Sequence, residues 1–192
     1  MAKKPLPTPE QLRQLLRYEP DTGKLFWLPR HPSFFVGGAG SYTPERTAKT
    51  WNKRYAGTEA LSAISSEGYK NGTLLDRYAA AHRVIWAIVH GHWPEFIDHI
   101  NGCRADNRLF NLREVTKREN GMNQGRKVNN SSGVTGVHLR GDNGKWIAQI
   151  GLGMRRVYLG AYDTFEDAVR ARQAAEREHG FHRNHGVPRS AG

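Results

Sequence analysis

Leucines at helical spacing follow a capping signal near the start of the chain. Leu12, Leu15 and Leu16 can share one face of a helix. Thr8 is suited to cap that helix, and Gln11, three residues later, completes a capping box. A short amphipathic helix is therefore predicted to begin directly after Thr8.

The pattern then changes to that of a turn, a strand and a long connection. Glu19–Gly23 has the composition of a turn, and Lys24–Leu28 is predicted to be a strand. Residues 29–57 are rich in Gly, Pro and Ser and carry scattered Lys and Arg. We interpret them as a long irregular loop.

Residues 68–91 predict a hairpin followed by a helix. Gly68–Tyr78 has the pattern of a hairpin or an edge strand. The apolar spacing then becomes helical, because Ala81, Ile85 and Val89 can share a face. This helix should end near Gly91.

A polar linker precedes a compact pattern in the last third of the chain. Residues 126–132 have mostly polar side chains and no apolar period, which is typical of a linker. A β-β-β-α unit is predicted over 133–182, and residues 183–192 are interpreted as a loose tail. The predicted elements of the β-β-β-α unit are strands over 134–139, 145–150 and 155–159 and a helix from Thr164 to about His179. The chain is thus divided into regions 1–67, 68–125 and 133–182, with the linker 126–132 before the last. Each region is predicted to contain both helices and strands, which indicates an α+β fold.

Charge narrows the class of partner. The net charge is +11 and the isoelectric point is about 10.1. Basic residues outnumber acidic ones both before and after residue 120. A polyanion, and nucleic acid first, is the expected partner, although an ordinary soluble protein of basic composition is the plainer alternative. Residues 29–57 then either lie on the nucleic acid or form a mobile connector.

Cysteine content and hydropathy bound the location. Cys103 is the single cysteine, which excludes an intramolecular disulfide and a multi-cysteine zinc site. The first residues lack the apolar core of a signal peptide. The longest apolar stretch, Val84–Val89, is too short to span a membrane. We therefore expect a cytoplasmic protein with no membrane partner.

One constellation carries candidate chemistry for cutting a phosphodiester. Asp98 and His99 are followed by Asn111 and Asn120. His99 suits a general base because its pKa lies near working pH. Asp98 and Asn120 suit oxygen ligands of Mg²⁺ or Mn²⁺, and Asn111 can orient the imidazole. In the alternative interpretation, the histidine and asparagines only tie down a loop.

Adjacent residues on a regular strand point to opposite faces, so Asp98 and His99 can share one site only if the strand ends or twists there. The Asn101-Gly102 pair is typical of a turn and indicates such an end.

These residues resemble the HNH endonucleases of the phage and homing type. The similarity covers about residues 68–125. Its motifs, in order, are His82-Arg83, Trp93-Pro94, Asp98-His99-Ile100-Asn101-Gly102, Asp106-Asn107-Arg108, Asn111-Leu112 and Asn120. The resemblance implies a ββα-metal (His-Me finger) core in which His99 is the general base, Asn111 its orienter, and Asp98 and Asn120 the metal ligands. It departs from the family at the last position, where Asn120 stands in place of the frequent histidine.

Other residues of this region have two interpretations each. His82 is either a second active-site histidine or a group that positions the metal hairpin. Arg83, Arg104 and Arg108 either contact phosphates near the cut or are solvated surface charges. Asn107 is expected to stabilise the loop between the two strands.

The C-terminal segment 133–180 resembles the Apetala-type DNA-binding domain of plant ethylene-response factors. The matching motifs are Ser132-Gly133-Val134-Thr135-Gly136-Val137, Gly144-Lys145-Trp146-Ile147-Ala148-Gln149-Ile150, Tyr158-Leu159-Gly160 and the Ala-rich helix. The resemblance implies a three-stranded sheet in the DNA major groove. Candidate contact residues are Arg140, Trp146, Gln149, Arg155, Arg156 and Tyr158. Core packing against the helix is the alternative for Trp146 and Tyr158.

The expected function is a metal-dependent, site-specific DNA endonuclease that leaves a 5′ phosphate and a 3′ hydroxyl. We expect one Mg²⁺ or Mn²⁺ per site, no structural zinc, double-stranded DNA as partner, and a monomer that nicks unless two chains meet. A phage-encoded protein in the cytoplasm of a bacterial host fits the resemblance. The alternatives are a non-catalytic DNA-binding regulator and an RNA-directed nuclease, although a groove-reading sheet suits B-form DNA better.

Overall fold

The computed structural model describes residues 5–37, 43–122, 126, 129–153, 155–182 and 185–187. The chain divides into two compact units, Met1–Glu114 and Val115–Ser190. Positions 127 and 128 of the predicted linker lie outside the described residues, as does the predicted tail apart from residues 185–187. Short sheets and helices make both units mixed, which confirms the α+β class.

The first unit begins with a capped helix and a hairpin. Helix α1 (Pro9–Leu15) carries both bonds of the predicted capping box. Strands β1 (Leu16–Glu19) and β2 (Lys24–Trp27) pair antiparallel, and β3 (Glu59–Ala60) adds to β2. The turn between β1 and β2 places Gly23 at φ +69°, a conformation that favours glycine.

The expectation of an irregular loop over residues 29–57 is wrong in its second half. A 3-10 turn covers Pro32–Phe34, and helix α2 spans Pro44–Tyr55. The Thr43 side chain accepts a hydrogen bond from the Arg46 amide and starts α2. Gly, Pro and Ser cluster before this cap, so the composition of the whole region concealed a regular helix.

The predicted hairpin and helix of residues 68–91 are confirmed. Strands β4 (Ala63–Ile64), β5 (Lys70–Leu74) and β6 (Arg77–Ala80) form one antiparallel sheet in that order. Helix α3 (Ala81–His90) follows β6 and ends at Gly91, whose φ is +77°.

The last elements of this unit form the strand pair that carries the candidate site. Strands β7 (Phe96–His99) and β8 (Leu112–Val115) form a two-stranded sheet, and a 3-10 turn at Leu109–Asn111 leads into β8. Buried residues from α1, the β strands and α3 make one continuous core, which anchors β7 and α3 together. The core residues are Leu12, Leu15, Leu16, Leu25, Ala60, Leu61, Leu74, Ala81, Val84, Ile85, Ala87, Ile97 and Leu112.

The second unit contains the predicted order of three strands and a helix. After α4 (Lys117–Met122) come β9 (Val137–Leu139), β10 (Trp146–Leu152), β11 (Arg155–Tyr162) and α5 (Phe165–Glu178). The sheet is antiparallel with β10 in the centre. Strand β9 is shorter than predicted, because residues before Val137 form turns with Gly136 at φ +79°.

Helix α5 packs on this sheet and begins at the predicted cap, Thr164, whose side chain accepts from the Asp167 amide. Arg172 on α5 is only 2% exposed, and its guanidinium donates to the Gln149 carbonyl at 3.0 Å and pairs with Glu176. Within the part of the chain described, none of the helices is both long and apolar enough to cross a membrane.

Candidate active site

Strand β7 ends in two buried ionisable residues. Asp98 is 4% exposed and His99 is 2% exposed. The Ile100 amide donates to the Asn111 carbonyl at 2.8 Å, which joins the end of β7 to the start of β8. A turn with Gly102 at φ +77° follows at once. The strand therefore ends where the sequence indicated.

The His99 ring contacts a carboxamide and two other rings. His99 Nε2 lies 2.9 Å from Asn107 Oδ1. Because an amide oxygen only accepts, this contact assigns the ring proton to Nε2 and the proton-accepting position to Nδ1. The Tyr69 and His82 rings lie 5.8 and 5.1 Å from the His99 ring, centroid to centroid. The imidazole is thus fixed in both tautomer and orientation.

The structure gives the orienting contact to Asn107 and not to Asn111. The Asn111 carboxamide is used twice elsewhere, since Oδ1 accepts from the Asn101 amide at 2.9 Å and Nδ2 donates to the Asp106 carbonyl at 2.8 Å. Asn111 therefore closes the loop between β7 and β8, the task expected of Asn107. Both lie in an Asn-rich loop, so composition alone could not distinguish them.

Asp98 has a partner that sequence reasoning missed. Arg113 on β8 donates from Nε and Nη2 to Asp98 Oδ2, at 3.0 and 2.7 Å. Such a charge-assisted pair fixes the carboxylate firmly. Strand pairing between β7 and β8 was the signal that could have found it, because it brings Arg113 beside the Asp98 position.

His82 lies in contact with His99 and is 8% exposed. Burial, the adjacent His99 and the Arg83 charge lower the pKa of His82 to about 3. Its ring is therefore neutral at physiological pH and adds no positive charge beside His99. Among the described residues, His82 Nδ1 has no hydrogen-bond partner. This geometry fits a positioning group rather than a second proton-transfer group.

The N-terminal hairpin supports the loop that carries Asn107. Tyr18 Oη donates to the Asn107 carbonyl at 3.2 Å. A Cβ at Gly23 would lie 2.5 Å from the Arg108 amide nitrogen, so the two backbones are in direct contact. Asn107 itself is completely buried. The N-terminal hairpin, which lies far earlier in the sequence, thus supports the loop whose Asn107 side chain contacts His99.

The three arginines near the site are already engaged. Arg83 donates to the Pro94 carbonyl at 2.8 Å, and Arg104 donates to the Glu67 carbonyl at 2.7 Å. Arg108 forms an ion pair with Asp106 at 2.7 Å and lies over the Phe110 ring. Their phosphate contacts stay predictions.

Asn120 lies on α4 in the second unit, where its amide donates to the Thr116 carbonyl. Within the described residues, no group of three or more His, Cys, Asp or Glu side chains is placed to hold a metal ion. A divalent cation here would need amide oxygens and water beside a carboxylate, which is the donor set that Mg²⁺ and Mn²⁺ accept. Asp98, in the first unit, offers a carboxylate, and Asn120, in the second unit, offers an amide oxygen. Each is a donor type that such a cation accepts.

Trp146 of the second unit packs against the core, since its ring lies 4.8 Å from Phe165 and is half-buried. This packing is the alternative considered for Trp146, and a DNA contact of its exposed part stays a prediction. Tyr158, by contrast, is 63% exposed and pairs with Gln149 across the strands.

The remaining basic candidates of this unit lie at the surface. Arg155 and Arg156 are exposed on β11, and Arg156 stands opposite Gly151. Arg140 is exposed and pairs with Asp142 at 2.9 Å. The sheet thus presents two adjacent exposed arginines on β11, and Tyr158 opposite Gln149, as candidate contacts for a nucleic acid.

Comparison with known proteins gives one match. Residues 79–122 match the family model of an HNH endonuclease. The match covers α3, β7, β8 and α4, and so includes His82, Asp98, His99, Asn111 and Asn120. It supports a nuclease of the HNH type in this part of the chain. No curated protein matches the chain, and no solved structure does either.

Proposed function

We propose that this protein is a metal-dependent HNH endonuclease that hydrolyses DNA phosphodiester bonds to 5′-phosphate and 3′-hydroxyl ends. The observation that carries the proposal is the imidazole of His99, held by Asn107 within the residues that match the HNH endonuclease model. A buried histidine of fixed tautomer at the end of a strand is suited to accept a proton.

His99 acts as the general base in this proposal. Asn107 Oδ1 accepts a hydrogen bond from the Nε2–H group, so Nδ1 takes the proton of the attacking water. His82 stays neutral beside it and does not repel the imidazolium that forms. Tyr69 and His82 limit the rotation of the ring, which keeps the base aligned with the scissile phosphate.

Asp98 and Asn120 would hold the metal ion, a single Mg²⁺ or Mn²⁺. When bound, such an ion polarises the scissile phosphate and stabilises the leaving 3′ oxygen. Arg113 fixes the Asp98 carboxylate through two hydrogen bonds to one oxygen. Asn111 contributes indirectly in this proposal, because it closes the loop that carries Asn107.

The second unit would place the enzyme on double-stranded DNA. Gln149, Arg155, Arg156 and Tyr158 are the proposed contacts of an Apetala-type sheet in the major groove. Arg83, Arg104 and Arg108 would contact phosphates near the cut. One active site per chain predicts a nick, and phage or homing origin in a bacterial cytoplasm fits a site-specific enzyme of this kind.

Plasmid cleavage tests the proposal. Supercoiled DNA is incubated with wild type, His99→Ala and His92→Ala in Mg²⁺ or Mn²⁺ and in EDTA. His92 is the matched control, because it is an exposed histidine of the same unit that bonds Glu114. We expect metal-dependent open circles with wild type and the control, and none with His99→Ala, although its DNA binding remains. Metal-dependent cutting by His99→Ala would refute the role of this residue.

A non-catalytic DNA-binding regulator is the second candidate. Two observations favour it: one Asp98 oxygen is engaged by Arg113, and the His99 ring is almost fully buried. Wild-type protein that binds DNA in a salt-sensitive manner and cuts no DNA in any metal would support the regulator.

A further inference from the structure

An aromatic cavity lies in the first unit outside the residues matched by the HNH model. Its volume is about 450 Å³, and it is lined by Trp27, Arg30, Phe34, Phe35, Trp51 and Tyr55 together with the β5–β6 turn. None of these aromatic rings belongs to the fully buried core, and Tyr55 is 37% exposed. Trp51 stands edge-on to Trp27 at 5.5 Å and lies 5.2 Å from Tyr55. A pocket of this size admits one ring system.

Arg30 presents a fixed cation in this cavity. Asn52 of α2 clamps its backbone, because Asn52 Oδ1 accepts from the Arg30 amide and Nδ2 donates to its carbonyl. The guanidinium carbon lies 3.9 Å from the Trp51 ring centroid and 4.9 Å from that of Trp27. Among the described residues, Arg30 Nε is buried without a hydrogen-bond partner. The Arg30 guanidinium therefore brings a positive charge to the aromatic wall of the cavity.

The β5–β6 turn forms the opposite wall at some cost in backbone energy. Leu75 and Asp76 have φ values of +49° and +62°, although neither is glycine. A hairpin turn of this type is usually built from Asn-Gly or Asp-Gly. Here both residues line the cavity, and the Asp76 carboxylate acts electrostatically on Arg30. Strain kept at such a wall is typical of a binding site.

Arg54 of helix α2 adds a second cation next to the aromatic rings, because its guanidinium carbon lies 5.4 Å from the Tyr55 ring centroid. The other exposed cations of this helix, Arg46, Lys49 and Lys53, lie by helical spacing on the face away from Trp51 and Tyr55. The expected ligand therefore combines a flat ring with negative charge. A nucleotide within a strand has both, because its base can stack on an aromatic face while a flanking phosphate meets arginine.

We propose that this cavity binds one unstacked nucleobase of a DNA strand, with a neighbouring phosphate at Arg30 and Arg54. The inference rests on the proposed function only in taking DNA as the substrate. It assigns the N-terminal region a task that cleavage chemistry does not need, namely to hold a base that has left the duplex.

Binding of single strands tests the cavity in the full chain. The cleavage-deficient His99→Ala protein is titrated, in EDTA, with a labelled dT strand of about 12 nucleotides and with a duplex of similar length. Tyr55→Ala and Arg30→Gln are made in this background. Tyr78→Ala is the matched control, because Tyr78 is a 71% exposed tyrosine of the same unit outside the cavity. Thermal unfolding checks that each variant is folded.

We expect Tyr55→Ala and Arg30→Gln to weaken dT binding by about 5- to 100-fold, the range for loss of one stacked base. Duplex binding should change by less than about twofold, and Tyr78→Ala should match its parent. Unchanged dT binding in both variants, or equal losses for duplex and single strand, would overturn the proposal. Preference for an rU strand of the same length would overturn its assignment to DNA.

The two proposals fail separately. Binding is measured without cleavage, so a chain that cuts no DNA can still show selective loss of single-strand binding in Tyr55→Ala. Conversely, wild-type nicking together with unchanged dT binding in the variants would support the proposed nuclease and refute base binding in the cavity.

Discussion

His82 makes the first unit sensitive to acid, and the size of the effect follows from its pKa. Burial lowers that pKa to about 3, with further contributions from His99 and Arg83. In the unfolded chain the same group has an ordinary histidine pKa near 6.5. Between these values only the unfolded chain binds the proton. Stability from the neutral ring is therefore complete above about pH 6.5 and is lost as the pH falls towards 3.

The expected loss is about 1.4 kcal/mol of unfolding free energy per pH unit well below 6.5. Between pH 7 and pH 5 it amounts to about 2 kcal/mol, a large part of the stability of a small domain. His82→Phe keeps a ring against Tyr69 and His99 but cannot bind a proton. Its unfolding free energy should therefore fall by about 2 kcal/mol less than that of wild type over this interval.

Urea unfolding at the two pH values measures this difference through tryptophan fluorescence. Four of the five tryptophans, at positions 27, 51, 86 and 93, lie in the first unit, so the signal reports mainly on it. His92→Gln is a control for which the pH dependence of stability is expected to change in the opposite direction. The hydrogen bond to Glu114 raises the pKa of His92, so its small contribution is present at low pH and lost as the pH rises. Equal pH dependence in wild type and His82→Phe would refute the buried, neutral His82.

Two further predictions concern catalysis and DNA binding. Asn107→Ala removes the contact that fixes the His99 tautomer, so we expect the cleavage rate to fall by about 10- to 100-fold with DNA affinity unchanged; plasmid nicking and gel-shift titration separate the two, and a rate equal to wild type would contradict the orienting role. Arg155→Ala/Arg156→Ala should raise the Kd for target DNA by about tenfold or more and reduce its salt dependence, whereas Arg170→Ala on α5 should change neither. Equal effects of the double variant and the α5 control would refute a DNA-binding face on β11.

Local signals in the sequence predicted much of the secondary structure. The capping box at Thr8, the cap at Thr164 and the stop at Gly91 each depend on residues within one or two turns, and the structure has all three. Helix α2 was missed because its cap, Thr43, follows a Gly- and Pro-rich stretch that dominates the average composition. The order of the strands and of the last helix followed from period and turn residues alone.

The partners of the site residues could not be predicted in the same way. Asp98 and His99 were identified by residue type and order, but their partners Arg113 and Asn107 depend on strand pairing and on the path of the loop. Three asparagines occur within that loop, and only the fold decides which one reaches the imidazole. The aromatic cavity was equally hidden, because its walls come from three separate segments of the chain, within residues 27–35, 51–55 and 73–76.

The contact between the N-terminal hairpin and the Asn107 loop decides which segment of the chain must be transplanted together with the proposed active site. Gly23 and Tyr18 touch the backbone of Asn107 and Arg108 from nearly ninety residues away in the chain. A graft of residues 79–122 into another scaffold would carry every acidic, imidazole and amide group of the proposed site. It would leave behind the hairpin against which their loop is packed. The smallest segment expected to keep the proposed site intact in another scaffold therefore begins with α1. Chimaeras should be joined on the C-terminal side of α4.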